Sequence, residues 1–153
     1  MNIERFQKAD VEKWHEQISC LLAEAFEISF SADITSPEKC YTKVDELKKY
    51  LEDDKAIFFA VVEGAELFGF LWAYPRDVGN EGRLHLNHFI LRKEIRNKGI
   101  GTKLIELLKD YADQYHFSGI ELMVSKSNKK AISYYERIGF DIERYQMILH
   151  TEE

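Results

Sequence analysis

The sequence predicts an α/β (α+β) fold, a mixed, mostly antiparallel central sheet of six or seven strands flanked by about four helices. Three observations carry this. Two amphipathic helical patterns occupy the front of the chain, two dense apolar runs follow as a hairpin, and strand and helix patterns then alternate to the end. Elements with one apolar side each are satisfied by helices laid on both faces of a sheet. At 153 residues, with 45% hydrophobic and 31% charged content, the chain reads as a single domain, residues 1–153, able to bury a core without staples.

Residues 2–7 suit a short strand. Val11, Trp14, Ile18, Leu21, Leu22, Ala25 and Phe26 recur at helical spacing, with Asp10 as the expected N-cap. Ser36-Pro37 opens a second helix with a narrower stripe, Tyr41, Val44, Leu47 and Leu51. The run 56–62 suits a strand covered on both faces, and Glu63-Gly64-Ala65-Glu66 turns it into residues 67–74. A polar loop, 75–82, leads to a strand from Leu84 to Leu91. Helix, strand (119–124) and helix (128–138) patterns follow, with Gly139 in the C-terminal glycine position. Residues 140–149 suit the last one or two strands.

Twenty-one basic against 27 acidic residues give a formal charge of −6. That argues against general nucleic-acid binding, which needs a basic face, and mildly favours a cationic acceptor such as an amine. Cys20 and Cys40 make neither a disulfide framework nor a metal site, and Cys20 suits a small buried position. No signal-peptide core or membrane-spanning run is expected, so a reducing, cytoplasmic location is the default.

The most informative stretch is Arg96-Asn97-Lys98-Gly99-Ile100-Gly101-Thr102, where strand becomes helix. Glycine lets backbone N–H groups approach a ligand, and a helix start adds unpaired donors and a positive dipole end. Together they suit a phosphate or pyrophosphate. A triphosphate loop would end in Gly-Lys-Ser or Gly-Lys-Thr; here the order is Gly101-Thr102-Lys103. A dinucleotide loop needs a third glycine where Leu104 stands, although Glu121 falls about where its ribose-binding acid would. Gly99 and Gly101 could equally just shape a tight turn.

A second motif lies downstream, Asn128 through Phe140. Taken together, the two resemble the signatures of the GNAT N-acetyltransferases. Arg96, Gly99 and Gly101 match the first; Asn128, Ala131, Tyr135, Gly139 and Phe140 match the second. The resemblance covers essentially the whole chain and implies acetyl-CoA as cosubstrate. It implies that the pantetheine arm pairs as an extra strand with the main chain of Ile90, Leu91 and Lys93. The pyrophosphate is then expected on the N–H groups of Arg96, Asn97, Lys98, Gly99, Ile100, Gly101 and Thr102, with Asn128 and Tyr135 at the thioester end.

The implied reaction is direct attack of an amine on the thioester through a tetrahedral intermediate. An ammonium of pKa about 10.4 must first lose a proton, roughly 4–5 kcal/mol at neutral pH, and a base within reach lowers that cost. Tyr135 matches the family's general acid; it is otherwise a core aromatic beside Tyr134. His85 stands where several members carry a glutamate base, and Asn87 ordering a water is the competing arrangement. Strand alternation puts His85 and Asn87 on one face and His88 on the other, so no metal site is expected.

Phe26, Phe30, Tyr41, Trp72 and Tyr74, with the loop 75–82, are expected to wall the acceptor site. The expected partner is a small-molecule or peptide amine; nucleic acid and membrane are not expected, and a homodimer is left open. The rival readings are a different acyl donor, or a module that holds coenzyme A without turnover.

Overall fold

The computed structural model describes residues 1–29, 37–53 and 55–152. The chain divides into two compact units, Met1–Met123 and Val124–Glu153.

The first unit holds a five-stranded sheet in the order β1 (Asn2–Arg5), β2 (Ile57–Glu63), β3 (Glu66–Val78), β4 (Glu81–Leu91) and β5 (Gly119–Leu122). The first four pair antiparallel, and β5 joins β4 in parallel. The expected loop 75–82 is mostly strand: β3 and β4 run on and turn tightly at Gly79-Asn80. The parallel strand requires a crossover, which α4 (Ile100–Gln114) supplies.

The first expected helix is two, α1 (Lys8–Lys13) and α2 (His15–Ser29), parted at Trp14. Asp10 lies within the first turn of α1, not before it, and its Oδ2 accepts the Gln7 N–H at 2.9 Å. Pro37 opens α3 (Pro37–Glu52) as expected; Ser36 lies outside the described residues.

Strand alternation sorts the core into two layers. Phe58, Ala60, Val62, Phe70 and Trp72 face α1, α2 and α3 in one cluster with Val11, Ile18, Leu22, Val44 and Leu47. The alternate residues Ile57, Val61, Leu71, Ala73, Leu84 and Leu86 are buried on the other face, as are Leu104 and Leu108 of α4. Cys40 is the buried cysteine and Cys20 is only half-buried, the reverse of the emphasis expected for Cys20.

Gly69 of β3 pairs with Leu91, and a Cβ there would stand 2.7 Å from the Ile90 carbonyl oxygen and from Leu91 Cδ2. No rotamer relieves a clash with a backbone oxygen. Gly69→Ala should therefore lower stability by about 1–3 kcal/mol in urea denaturation; an unchanged midpoint would show that β3 and β4 have room to part.

In the second unit, α5 (Lys129–Arg137) is the assigned element. Residues 140–150 carry no strand, so among the described residues five strands stand where six or seven were expected. A strand exists only where its backbone groups meet a neighbour. The stretch has apolar residues but no ladder, and Tyr145, Met147 and Leu149 are exposed.

Candidate functional site

After β4 the chain passes through a short 3-10 turn, Lys93–Ile95, pinned by Ile95, whose side chain is buried. Lys93 thus lies on the turn, beyond the extended strand. Arg92 N–H donates to the Phe68 carbonyl at 2.7 Å, closing the strand end. Asn97 (φ 61°) and Gly99 (φ 81°) are both left-handed, and Gly99 is the residue before α4. Such reversals gather successive N–H groups on one side as an anion-binding concavity, and the first N–H groups of a helix have no carbonyl a turn behind them. A Cβ on Gly99 would meet nothing within 4 Å, so the space before the helix is open. Arg96, exposed, donates from Nε to the Leu91 carbonyl at 3.0 Å and so ties the loop to the strand end. The cradle fits a pyrophosphate, with Lys98 beside it.

β5 ends before β4 does. Their ladder runs from Arg83↔Gly119 to Leu86↔Leu122 and stops, while β4 continues to Leu91. Among the described residues, Asn87 to Leu91 therefore have a strand neighbour only on the β3 side. That leaves an edge of backbone donors and acceptors leading towards the cradle, the arrangement that accepts an extended ligand arm. Ile90 and Leu91 lie on it.

The β3–β4 register slips between Trp72 and Ala73: Trp72 opposes His88, Ala73 opposes Leu86, and Asn87 is the extra residue of a bulge. One added residue inverts the alternation. His85 and His88 therefore share the face of Tyr74 and Trp72, which corrects the expectation that they point opposite ways. Their rings lie 5.2 Å from Tyr74 and 5.2 Å from Trp72 respectively. Bulges of this kind re-aim side chains beside functional sites.

A cleft of about 600 Å³ opens at this bulge. Asn87, His88, Trp72 and Tyr74 contribute from the sheet, and Lys43, Glu46 and Tyr50 from α3, with Lys55 following. Tyr50 and Tyr74 stack at 6.4 Å between ring centres. Among the described residues the charged lining is Lys43, Lys55 and Glu46. Trp72 and Tyr74 line it as expected; Tyr41 instead bridges helices, its hydroxyl donating to Glu16 at 2.6 Å. Phe30 and the side chain of Phe26 lie outside the described residues.

The two histidines differ chemically. Burial, aided by the Lys43 charge, pushes His88 down to about 4, so it is neutral at pH 7 and a weak proton acceptor. His85, only 7% exposed, has Nδ1 2.5 Å from Glu121 Oε2 on β5. Glu121 also receives Arg76 at 2.8 Å and lies 3.6 Å from Arg83. Burial pushes its carboxyl up, but the His85 hydrogen bond and the Arg76 charge outweigh that and hold it below the ordinary carboxylate value. Glu121 was missed from sequence as a partner of His85, because the signal is a register between strands 36 residues apart.

In the second unit Asn128 caps α5: its Oδ1 accepts the Ala131 N–H at 3.2 Å. The asparagine demanded by the motif thus has a local structural use, with its amide NH2 left as a donor. Tyr135 is half-buried, its ring 5.6 Å from Tyr134 and 5.5 Å from Phe140. Burial, then Tyr134, pushes its phenol up to about 12. Gly139 takes φ 114° just after the helix, the position a glycine was expected to fill.

A mixed sheet whose fourth strand bulges, runs on beyond the fifth and ends in a left-handed turn at a helix start is the frame of an acyl-CoA-type transferase fold. The comparisons with known proteins agree. The profile of the acetyltransferase (GNAT) family matches residues 16–140, and the chain belongs to that family. An uncharacterized N-acetyltransferase of Bacillus subtilis, YhfO, is 32% identical over 97 residues, 62% of this chain and 65% of that protein. The spermine/spermidine N(1)-acetyltransferase of the same organism is 32% identical over 78 residues, 50% of this chain and 51% of its own. The chain thus spans about half to just under two thirds of the length of these relatives. In fold it is similar to an aminoglycoside acetyltransferase from an uncultured soil metagenomic sample, solved with sisomicin: TM-score 0.75 and 18% identity over 99% of this chain and 96% of that one.

Among the described residues no helix is long and apolar enough to cross a membrane, and no group of three histidine, cysteine or acidic residues could hold a metal ion.

Proposed function

We propose that residues 1–153 form one cytoplasmic domain that transfers an acetyl group from acetyl-CoA to the primary amine of a small molecule or peptide. One observation carries this reading: the β4–β5 ladder ends at Leu86↔Leu122, and β4 runs on beyond it to the turn before α4, left-handed at Asn97 and Gly99. An edge for an amide-bearing arm beside a cradle for its phosphates is what coenzyme A requires, and family membership supports it.

Acetyl-CoA supplies the activated thioester. The main chain of Ile90, Leu91 and Lys93 holds the arm, and the N–H groups from Asn97 through Thr102 hold the pyrophosphate, with the Lys98 and Arg96 side chains adding charge; the Arg96 N–H itself donates to the Lys93 carbonyl at 3.3 Å. Asn128 and Tyr135 serve the thioester end. His85 receives the proton of the incoming amine, through a water ordered by Asn87 where the amine does not reach it directly. Nitrogen bonds to the acetyl carbon and gives up its second proton to solvent, the carbon–sulfur bond breaks, and Tyr135 donates a hydrogen bond to the departing thiolate, which then takes a proton from solvent. The products are an amide and a thiol.

The cleft at the β4 bulge would take the acceptor. Incubation with acetyl-CoA and a panel of amines, following thiol release, should give turnover with at least one acceptor. If coenzyme A binds and no amine turns over, the chain is a binding module and this reading falls.

A further inference from the structure

We propose that Glu121 is the positioning residue of the proton-accepting site, its carboxylate taking the Nδ1 proton of His85 in a hydrogen bond and leaving Nε2 as the basic nitrogen. The inference rests on the acetyltransferase reading and adds a residue that neither motif contains. A carboxylate has no proton to give, so at 2.5 Å from Glu121 Oε2 the proton between the two belongs to Nδ1. The tautomer is thereby fixed, as in carboxylate–histidine pairs generally. When Nε2 accepts the amine proton, the imidazolium is met by a charge already in place.

Three neighbours keep the pair in register. Arg76 from β3 binds Glu121 at 2.8 Å, and Arg83 from β4 lies 3.6 Å away, itself held by Glu81 at 3.0 Å. Tyr74 of β3 packs its ring 5.2 Å from His85 on the same face. Glu121 pairs with His85 directly in the parallel ladder, one step before the ladder ends at Leu86↔Leu122. The pair thus sits near the end of the ladder that β4 and β5 share. A simple ion cluster joining three strands would need Arg76, Arg83 and Glu121 alone; placing a buried histidine against the carboxylate adds a proton acceptor.

Substituting Glu121→Gln removes the charge while keeping shape, and Glu121→Asp keeps the charge at a shorter reach. Two readouts are needed: the His85 tautomer by long-range proton–nitrogen NMR on the full chain, and the pH profile of kcat/KM with the best acceptor of the panel. Wild type should show the Nδ1–H tautomer. Glu121→Gln should lose about 10- to 100-fold in kcat with KM for acetyl-CoA unchanged. Its acid limb should move to lower pH, because the imidazolium loses its counter-charge and faces Arg76 and Arg83 unscreened. Glu121→Asp should recover part of the rate. An Nε2–H tautomer in wild type overturns the inference. So does a Glu121→Gln protein with an unmoved acid limb, whether or not its stability falls. Absence of turnover in wild type would instead overturn the acetyltransferase reading and, with it, any role of the pair in catalysis, while the tautomer would still report on the geometry.

Discussion

Gly99→Glu is expected to abolish acetyl-CoA binding while the protein stays folded. Gly99 sits at φ 81° directly before α4, and a Cβ there points into open space. The side chain has room, so the cost to the fold is confined to the left-handed backbone, about 1–2 kcal/mol for a residue with a Cβ. The cost to binding is larger. A carboxylate within about 4 Å of a phosphate, at an effective dielectric near 20, opposes it by about 4 kcal/mol, roughly a thousandfold in affinity. Gly99→Ala separates the two effects, since it carries the backbone strain without the charge and should bind within about tenfold of wild type. Calorimetric titration checks both. Wild-type affinity in Gly99→Glu, or equal losses in both variants, would mean that the loop is not an anion cradle.

Tyr135→Phe should slow turnover about 10- to 100-fold, with KM for acetyl-CoA changed less than twofold. The phenol, pushed up to about 12 by burial and by Tyr134, keeps its proton throughout the working pH range. A departing thiolate has a pKa of about 8.5, so complete proton transfer from such a phenol is uphill by roughly 5 kcal/mol. In the proposed reaction its contribution is therefore a hydrogen bond donated as the carbon–sulfur bond breaks. That places the loss at the low end of the range for general acids, about 10²–10⁴-fold, or just below it. The raised value has a second consequence: ionisation of Tyr135 should cause no fall in the alkaline limb of kcat below about pH 11. Undiminished turnover in Tyr135→Phe would return the residue to packing against Tyr134 and Phe140.

What could be read from sequence follows how local each feature is. The turn before α4 was legible because a left-handed residue ahead of a helix selects glycine, and Gly99 occupies that position. The α5 cap and stop were legible for the same reason: Asn128 and Gly139 act on residues three or fewer positions away. The break at Trp14 was not, since the apolar stripe runs unchanged through both helices while the backbone turns. Nor was the bulge at Asn87, where a polar residue in a strand reads as ordinary alternation and only the partner strand shows the extra residue. That single slip reassigned His88 to the face of His85. The His85–Glu121 contact and the lysines of the cleft are tertiary, joining β4 to β5 and α3 to the sheet. Residues 140–149 show the opposite case, a strand-like pattern for which no ladder is assigned.

The most direct measurement is an amide proton–nitrogen NMR map of the labelled protein titrated with acetyl-CoA. The account predicts the largest shifts at Ile90, Leu91 and Lys93 and across Arg96 to Thr102, with smaller ones at Asn128 and Tyr135. Saturable binding that leaves the Arg96–Thr102 amides unmoved, or no binding at all, would contradict it.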